Sequence, residues 1–173
     1  MIAFVLCGVM NVTGSNVSLA ATDVETEQTA ELAAASTVKH VSARGLYHAG
    51  DYFYIETSKG VLAYNMKKQT AKYVVERAGV SGVLVHKGYL YYNLYQDSQM
   101  SIYKIKADGS SKPKQICKNG RLGFMKNNRL YYGHSGLCSM KLDGTDKKCH
   151  MRVKDDANGT VFYYKGKYFY SVF

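Results

Sequence analysis

The sequence predicts an all-β chain: a β-propeller-like array of four-stranded antiparallel blades. Three observations predict it. The first is composition. Of 173 residues, 16 are Tyr, none is Trp and one is Pro, and aromatic residues favour strands because a flat ring packs on a pleated surface. The second is a repeat in which a tight-turn residue precedes an aromatic strand. It reads AGDYFYI at 49–55, KGYLYYN at 87–93, NNRLYYG at 127–133 and KGKYFYS at 165–171, with turn residues Gly50, Gly88, Asn128 and Gly166 spaced by 38, 40 and 38. Gly and Asn tolerate the positive φ of hairpin turns. The third is a second anchor in each complete unit: LAYNMKKQT at 62–70, SIYKIKADGS at 101–110 and LCSMKLDGT at 137–145. Asp108-Gly109 and Asp143-Gly144 are strong turn signals, and Lys68-Gln69 in the first unit is a weaker one.

Each unit therefore reads strand, tight turn, strand, loop, strand, turn, strand. GLYH, GVLVH, LGFMK and TVFYY supply the first strands, and KYVVE, KQIC and CHMRV supply the last. Four antiparallel strands in about 40 residues make a propeller blade. The blades fall at about 43–79, 80–119 and 120–156, with a half blade at 157–173, so residues 43–173 form a partial propeller of about three and a half blades, incomplete or open. Within a strand, Lys104 and Lys106 alternate with Tyr103 and Ile105, which sets the lysines outward. His48 and His86 fall at equivalent blade positions, two before the turn glycine, and their counterparts in later units are Lys126 and Tyr164. The exposed final strand implies either a truncated or split propeller or self-association through open strand edges.

The pattern G-x-L-Y-Y … I-Y-K-I-K-x-D-G-S resembles the propeller repeats related to the YWTD propellers of low-density-lipoprotein receptors. Similar repeats occur in secreted proteins of clostridia-like bacteria, in a domain of unassigned function. The resemblance covers roughly residues 43–173; the YWTD tetrad itself is absent, and YYNL and YYGH stand in its place. It implies non-catalytic, extracellular service.

The N-terminus reads as a targeting segment. An apolar run, Ile2 to Met10, is followed by polar residues and then Ser18-Leu19-Ala20, with small residues where a signal peptidase reads. Residues 1–21 are thus expected to be a secretory signal peptide. The run is too short for a transmembrane helix, which needs roughly 20 apolar residues, and Leu6 before Cys7 argues against lipidation. Residues 22–42 are acidic and small, and read as a flexible linker or a short frayed helix around Glu25 to Ala34. The expected location is secreted or at the cell surface.

Charge is distributed unevenly. All 23 Lys and Arg lie at Lys39 or beyond, whereas Asp23, Glu25, Glu27 and Glu31 precede it, so the remainder carries a formal net charge of +14. Such a field favours anionic partners: an acidic polysaccharide, cell wall or protein surface. No motif points to specific nucleic-acid recognition. The plainer explanation is a set of solvated turn and strand lysines.

Catalytic signatures are missing from the sequence. It holds no Gly-x-Ser-x-Gly elbow, Walker loop or Gly-x-Gly-x-x-Gly. The histidines (His40, His48, His86, His134, His150) lack the spacing of a zinc site. Ser135 follows His134, and strand neighbours point to opposite faces. DDANGT at 155–160 lacks the ligands of a calcium loop. Asp51, Glu56 and Asp97 are the carboxylates open to nomination for glycoside hydrolysis, and nothing in the sequence pairs them. No metal, cofactor or catalytic residue is assigned.

Past the signal segment stand Cys117, Cys138 and Cys149. Cys138 takes the inward slot that Tyr103 holds one blade earlier. Cys138 and Cys149 flank Asp143-Gly144. With a two-residue turn, 142 faces 145 and the two cysteines oppose each other within disulfide range. With a three-residue loop, Leu142-Asp143-Gly144, 141 faces 145 and Cys149 faces Leu137 instead. Both turns accept Asp-Gly. The function expected is a non-catalytic extracellular binding or scaffold module at the bacterial surface, recognising acidic polymers or glycans. The alternative is a fragment of a propeller-type carbohydrate-active enzyme.

Overall fold

The structure is a computed structural model that describes residues 11–13, 16–18, 43–153 and 159–171. In the segment expected to be a signal peptide it describes one small antiparallel pair, β1 (Asn11–Thr13) with β2 (Asn16–Ser18). The rest of that segment lies outside the described residues, as does the expected linker at 22–42. Every regular element among the described residues is a strand. The chain divides into two compact units, Met1–Ala78 and Gly79–Phe173.

The first unit holds one four-stranded sheet, a meander of β3 (Ala43–Ala49), β4 (Tyr52–Thr57), β5 (Gly60–Asn65) and β6 (Thr70–Glu76). Its core is Ile55, Leu62 and Ala71, with Tyr64 and Tyr73 packed against them.

The second unit holds two further meanders of the same kind and one hairpin. The first meander is β7 (Val80–His86), β8 (Tyr89–Gln96), β9 (Gln99–Lys106) and β10 (Lys114–Cys117). The next is β11 (Arg121–Lys126), β12 (Arg129–Gly133), β13 (Gly136–Lys141) and β14 (Lys148–Arg152). The hairpin is β15 (Thr160–Tyr164) with β16 (Lys167–Ser171).

These strands carry a shared signature beyond their order. The fourth strand of every blade bulges at one place: Val74, Ile116 and His150 are each left without an opposite partner. A bulge sharpens the right-handed twist of a strand. First strands also slip register, at Arg44, Gly82 and Gly123.

The turn chemistry sets the strand register, and it corrects one expected alignment. The closing turns Lys87-Gly88, Asn127-Asn128 and Lys165-Gly166 have positive φ at both residues, the type I′ geometry that matches strand twist. The first turn is Gly50-Asp51, closed by Ala49 opposite Tyr52, and only Gly50 has positive φ. That is a type II′ turn, with its glycine in the first central position rather than the second. The first blade is therefore offset by one residue from the spacing counted on glycines. His48 faces Phe53, one pair further from its turn than His86, which faces Tyr89; the two histidines are not equivalent. His134 and Ser135 likewise form the turn between β12 and β13 rather than lying on a strand, and Ser135 has φ of 46°.

Blades of the second unit pack face to face. One cluster joins Tyr91, Ile102 and Ile116 to Leu130, Tyr132 and Met140. A second joins Tyr131 and Leu137 to Val161, with Phe124 and Tyr170 against it. Tyr91 and Tyr132 are about 1–2% exposed, so the tyrosine enrichment is a packing device in which rings fill the space between sheets. Their buried hydroxyls resist ionisation: burial, with the neighbouring Tyr89 and Asp143 charges, pushes Tyr91 up to about 12.

A polar link accompanies the packing. The Leu122 backbone N–H donates to Oδ1 of the buried Asn93 at 2.9 Å, tying β8 to β11.

Candidate functional site

In a meander, the first and third turns of each blade emerge at one end of the sheet. In the second unit this end carries Lys87-Gly88, Asp108-Gly109, Asn127-Asn128, Asp143-Gly144 and Lys165-Gly166. Backbone bonds draw the turns together within a blade, as where Ala107 N donates to Gly88 O at 2.9 Å. Between blades, Lys87 Nζ donates to Asn128 Oδ1 at 2.7 Å.

Cations on this end rest on tyrosine rings. Lys126 Nζ lies 3.5 Å from the Tyr163 ring centroid and 5.1 Å from that of Tyr168. Lys104 Nζ lies 3.9 Å from the Tyr89 centroid and 5.5 Å from that of Tyr91, and Lys165 Nζ lies 5.3 Å from the Tyr164 centroid. An ammonium over a ring face is attracted by the ring quadrupole. Lys165 is exposed and Lys126 half-buried as a residue; hydrogen bonding of Lys126 to the Tyr163 and Tyr168 hydroxyls raises its pKa, so it is cationic throughout the physiological range.

Lys104 behaves differently from its expected outward role. It is half-buried, and Nζ donates to Leu142 O at 3.2 Å. The same carbonyl accepts from Tyr91 Oη at 3.3 Å. Burial lowers the Lys104 pKa, while the Asp143 charge opposes that shift. Ile102, on the same face of β9, is buried in the interblade core, so the strand has no wholly solvent-facing side in this stretch.

Phe124 and Tyr131 form a parallel stack, with centroids 4.8 Å apart and planes at 6°. Tyr163 and Tyr168 close over it, with Tyr168 5.3 Å from Tyr131 and 6.1 Å from Phe124. The Tyr131 and Tyr168 hydroxyls approach to 3.5 Å. That contact, with Lys126, lowers the Tyr168 pKa, whereas the same contact and burial raise that of Tyr131 against the Lys126 charge. Beside them Arg129 is held by Asp146, with Nη1 2.6 Å from Oδ2, and donates through Nε to Ser139 Oγ at 3.1 Å. Ser139 Oγ is 2.8 Å from His150 Nε2. Arg129 is thus spent on structure, and Lys126 with its tyrosines, together with the exposed Lys165, leaves a cationic surface at this end.

Of the carboxylates open to catalytic nomination, the two in the first unit lie at opposite ends of one strand. Asp51 pairs with Lys67 at 3.0 Å at the tip of the first hairpin, and Glu56 is buried near the opposite end of β4. Asp97 sits in the turn between β8 and β9, in the second unit. Among the described residues no three His, Cys, Asp or Glu are grouped to hold a metal ion. His40 and most of DDANGT lie outside those residues. No helix among the described residues is long and apolar enough to cross a membrane.

Cys138 and Cys149 are joined by a disulfide, with Cα atoms 4.0 Å apart. Cys117 is a buried free thiol whose pKa is pushed up by burial.

The Lys126–Tyr163–Tyr168 cluster has no motif. Its only sequence signal is the repeat phase, which puts Lys126 at a hairpin tip and Tyr163 beside the next one.

No protein-family model matches the chain, and no curated protein matches it. A solved structure does: a chain in the crystal structure of a nidogen/laminin complex is similar over 76% of this chain, with a TM-score of 0.55 and 13% identity. This protein spans 56% of that chain's length. The similarity, together with the repeated four-stranded meanders, makes the fold β-propeller-like.

Proposed function

We propose that the protein is a non-catalytic extracellular binding or scaffold module at the bacterial cell surface, which recognises acidic polymers or glycans with the hairpin-tip end of its second unit. The observation that carries this reading is Lys126 resting on Tyr163 and Tyr168 in a chain of net charge +10. An exposed ammonium pairs with a carboxylate or sulfate, and adjacent aromatic faces stack on sugar rings. The propeller-like relative comes from a complex of two proteins, which supports a binding role over a catalytic one. The targeting pattern at 1–21 supports secretion.

The test is retention on immobilised heparin and on polygalacturonate, measured across a salt series. Binding should fall steeply with salt, because displaced counterions drive it, as on other polyanions. Lys126→Ala and Tyr168→Ala should each elute earlier than the parent. Retention indifferent to both salt and these substitutions would sink the proposal.

A further inference from the structure

The cross-strand pairs of the second unit reveal a docking rule. At each junction between successive blades, the pair third from the hairpin turn on one blade is covered by the pair second from the turn on the next. Leu84 opposite Tyr91 is covered by Met125 opposite Leu130, all within one core cluster. Phe124 opposite Tyr131 is covered by Tyr163 opposite Tyr168.

The fourth hairpin repeats the covered surface. Phe162 faces Phe169 in the third-pair slot, stacked with centroids 4.8 Å apart and planes at 4°. This nearly reproduces the Phe124–Tyr131 stack. Yet Phe162 and Phe169 are 48% and 38% exposed, and Tyr164, in the slot of Lys126, is 59% exposed. Neighbouring exposed rings in a slot that is elsewhere an interface mark an interaction surface.

The chain also carries a matching cover. In the first blade the second pair from the turn is His48 opposite Phe53, with ring centroids 5.1 Å apart. These are the slots of Tyr163 and Tyr168, and both are aromatic here too. His48 is exposed and Phe53 half-buried.

We propose that the Phe162–Phe169 face of one copy docks on the His48–Phe53 face of a second copy, head to tail. The contact continues the blade-to-blade packing of the second unit across a molecular boundary. It is a face-to-face contact, distinct from pairing of open strand edges, and it does not depend on polymer binding. Being heterologous, it uses two different patches, so each copy keeps one free until the array closes.

Sedimentation of the whole chain tests it. The parent protein should run above the 19.3 kDa of one chain in a concentration-dependent manner. Phe169→Asp and His48→Asp should each run as single chains with unchanged far-UV circular dichroism. An equimolar mixture of the two should regain a two-copy species, because the intact tail of one variant meets the intact head of the other. If an Asp variant fails to fold, Phe169→Ser and His48→Ser serve the same comparison. A parent protein that stays monomeric overturns the proposal, and so does association that survives His48→Asp, since the occupant is then not this head surface. Association indifferent to both variants also overturns it and points to edge pairing.

Discussion

Cys138 and Cys149 face each other across β13 and β14 although the turn joining those strands adopts the register that should separate them. Gly144 N donates to Lys141 O and Lys141 N donates to Thr145 O, both at 2.9 Å, and Gly144 has φ of 93°. This is the three-residue loop, a type I turn with a left-handed glycine. One further residue is absorbed between Thr145 and Lys148, so that Ser139 faces Lys148 and Cys138 faces Cys149. The bulge at His150 comes only after the cysteines. The bonded pair occupies the slot held by Leu62 and Tyr73 in the first blade and by Tyr103 and Gln115 in the second. A covalent link replaces a packing pair on a strand, β14, whose residues are all exposed.

Removing that link should cost stability. The sequence separation of 11 residues corresponds to about 3 kcal/mol of unfolded-state restriction. Cys149→Ser should lower the unfolding free energy by about that amount in urea titration under non-reducing conditions. Alkylation in denaturant without reductant should label Cys117 and leave Cys138 and Cys149 unmodified. Labelling of all three would refute the bond.

Asn93→Ala should also destabilise. It removes the acceptor of the Leu122 N–H in a buried interblade position. An unsatisfied buried donor costs about 1–3 kcal/mol. Asn93→Asp keeps an acceptor but buries a charge, and should restore little. A urea midpoint for Asn93→Ala equal to the parent's would show that this link contributes nothing.

Gly133 stands in the slot of Asn93 one blade later. A Cβ there would lie 2.0 Å from the Gly159 carbonyl oxygen, so the neighbouring backbone itself fills the space that Asn93 spans with a side chain. Gly133→Ala should displace the β15–β16 hairpin and cost about 1–3 kcal/mol, the range for overpacking. Near-UV circular dichroism from the Tyr131, Tyr163 and Tyr168 cluster should weaken with it. An unchanged spectrum and midpoint would contradict this packing.

Asp146 should make stability depend on acid. Hydrogen bonding from Arg129 holds its carboxyl below the ordinary range. A carboxylate with a depressed folded pKa stabilises above its unfolded value, near 3.9, and loses that contribution as pH falls through the folded value. Asp146→Asn should therefore be less stable than the parent at neutral pH, and the gap should close below about pH 4. A gap that persists unchanged at low pH would assign the loss to something other than this charge.

The sequence by itself determined the repeat, the strand count of each blade and the hairpin positions. These follow from local rules: aromatic alternation, turn residues that tolerate positive φ, and a period near 40 residues. The face-to-face order of the tyrosines was also implicit, because equivalent slots recur in phase. Tertiary structure decided what local rules leave degenerate. The Gly50 turn shifts by one because glycine serves at either central position of a two-residue turn. Lys104, beside the Tyr89 and Tyr91 rings of its own blade, is drawn inward because the adjoining blade offers it the Leu142 carbonyl, and no strand pattern carries that information. Cys138 meets Cys149 because a residue absorbed beyond the turn cancels the turn's own slip. Lys126 finds Tyr163 and Tyr168 only once a second blade is packed against the first. Register and cross-blade contact are set by the sum of many side-chain fits, and these exist only in the assembled fold.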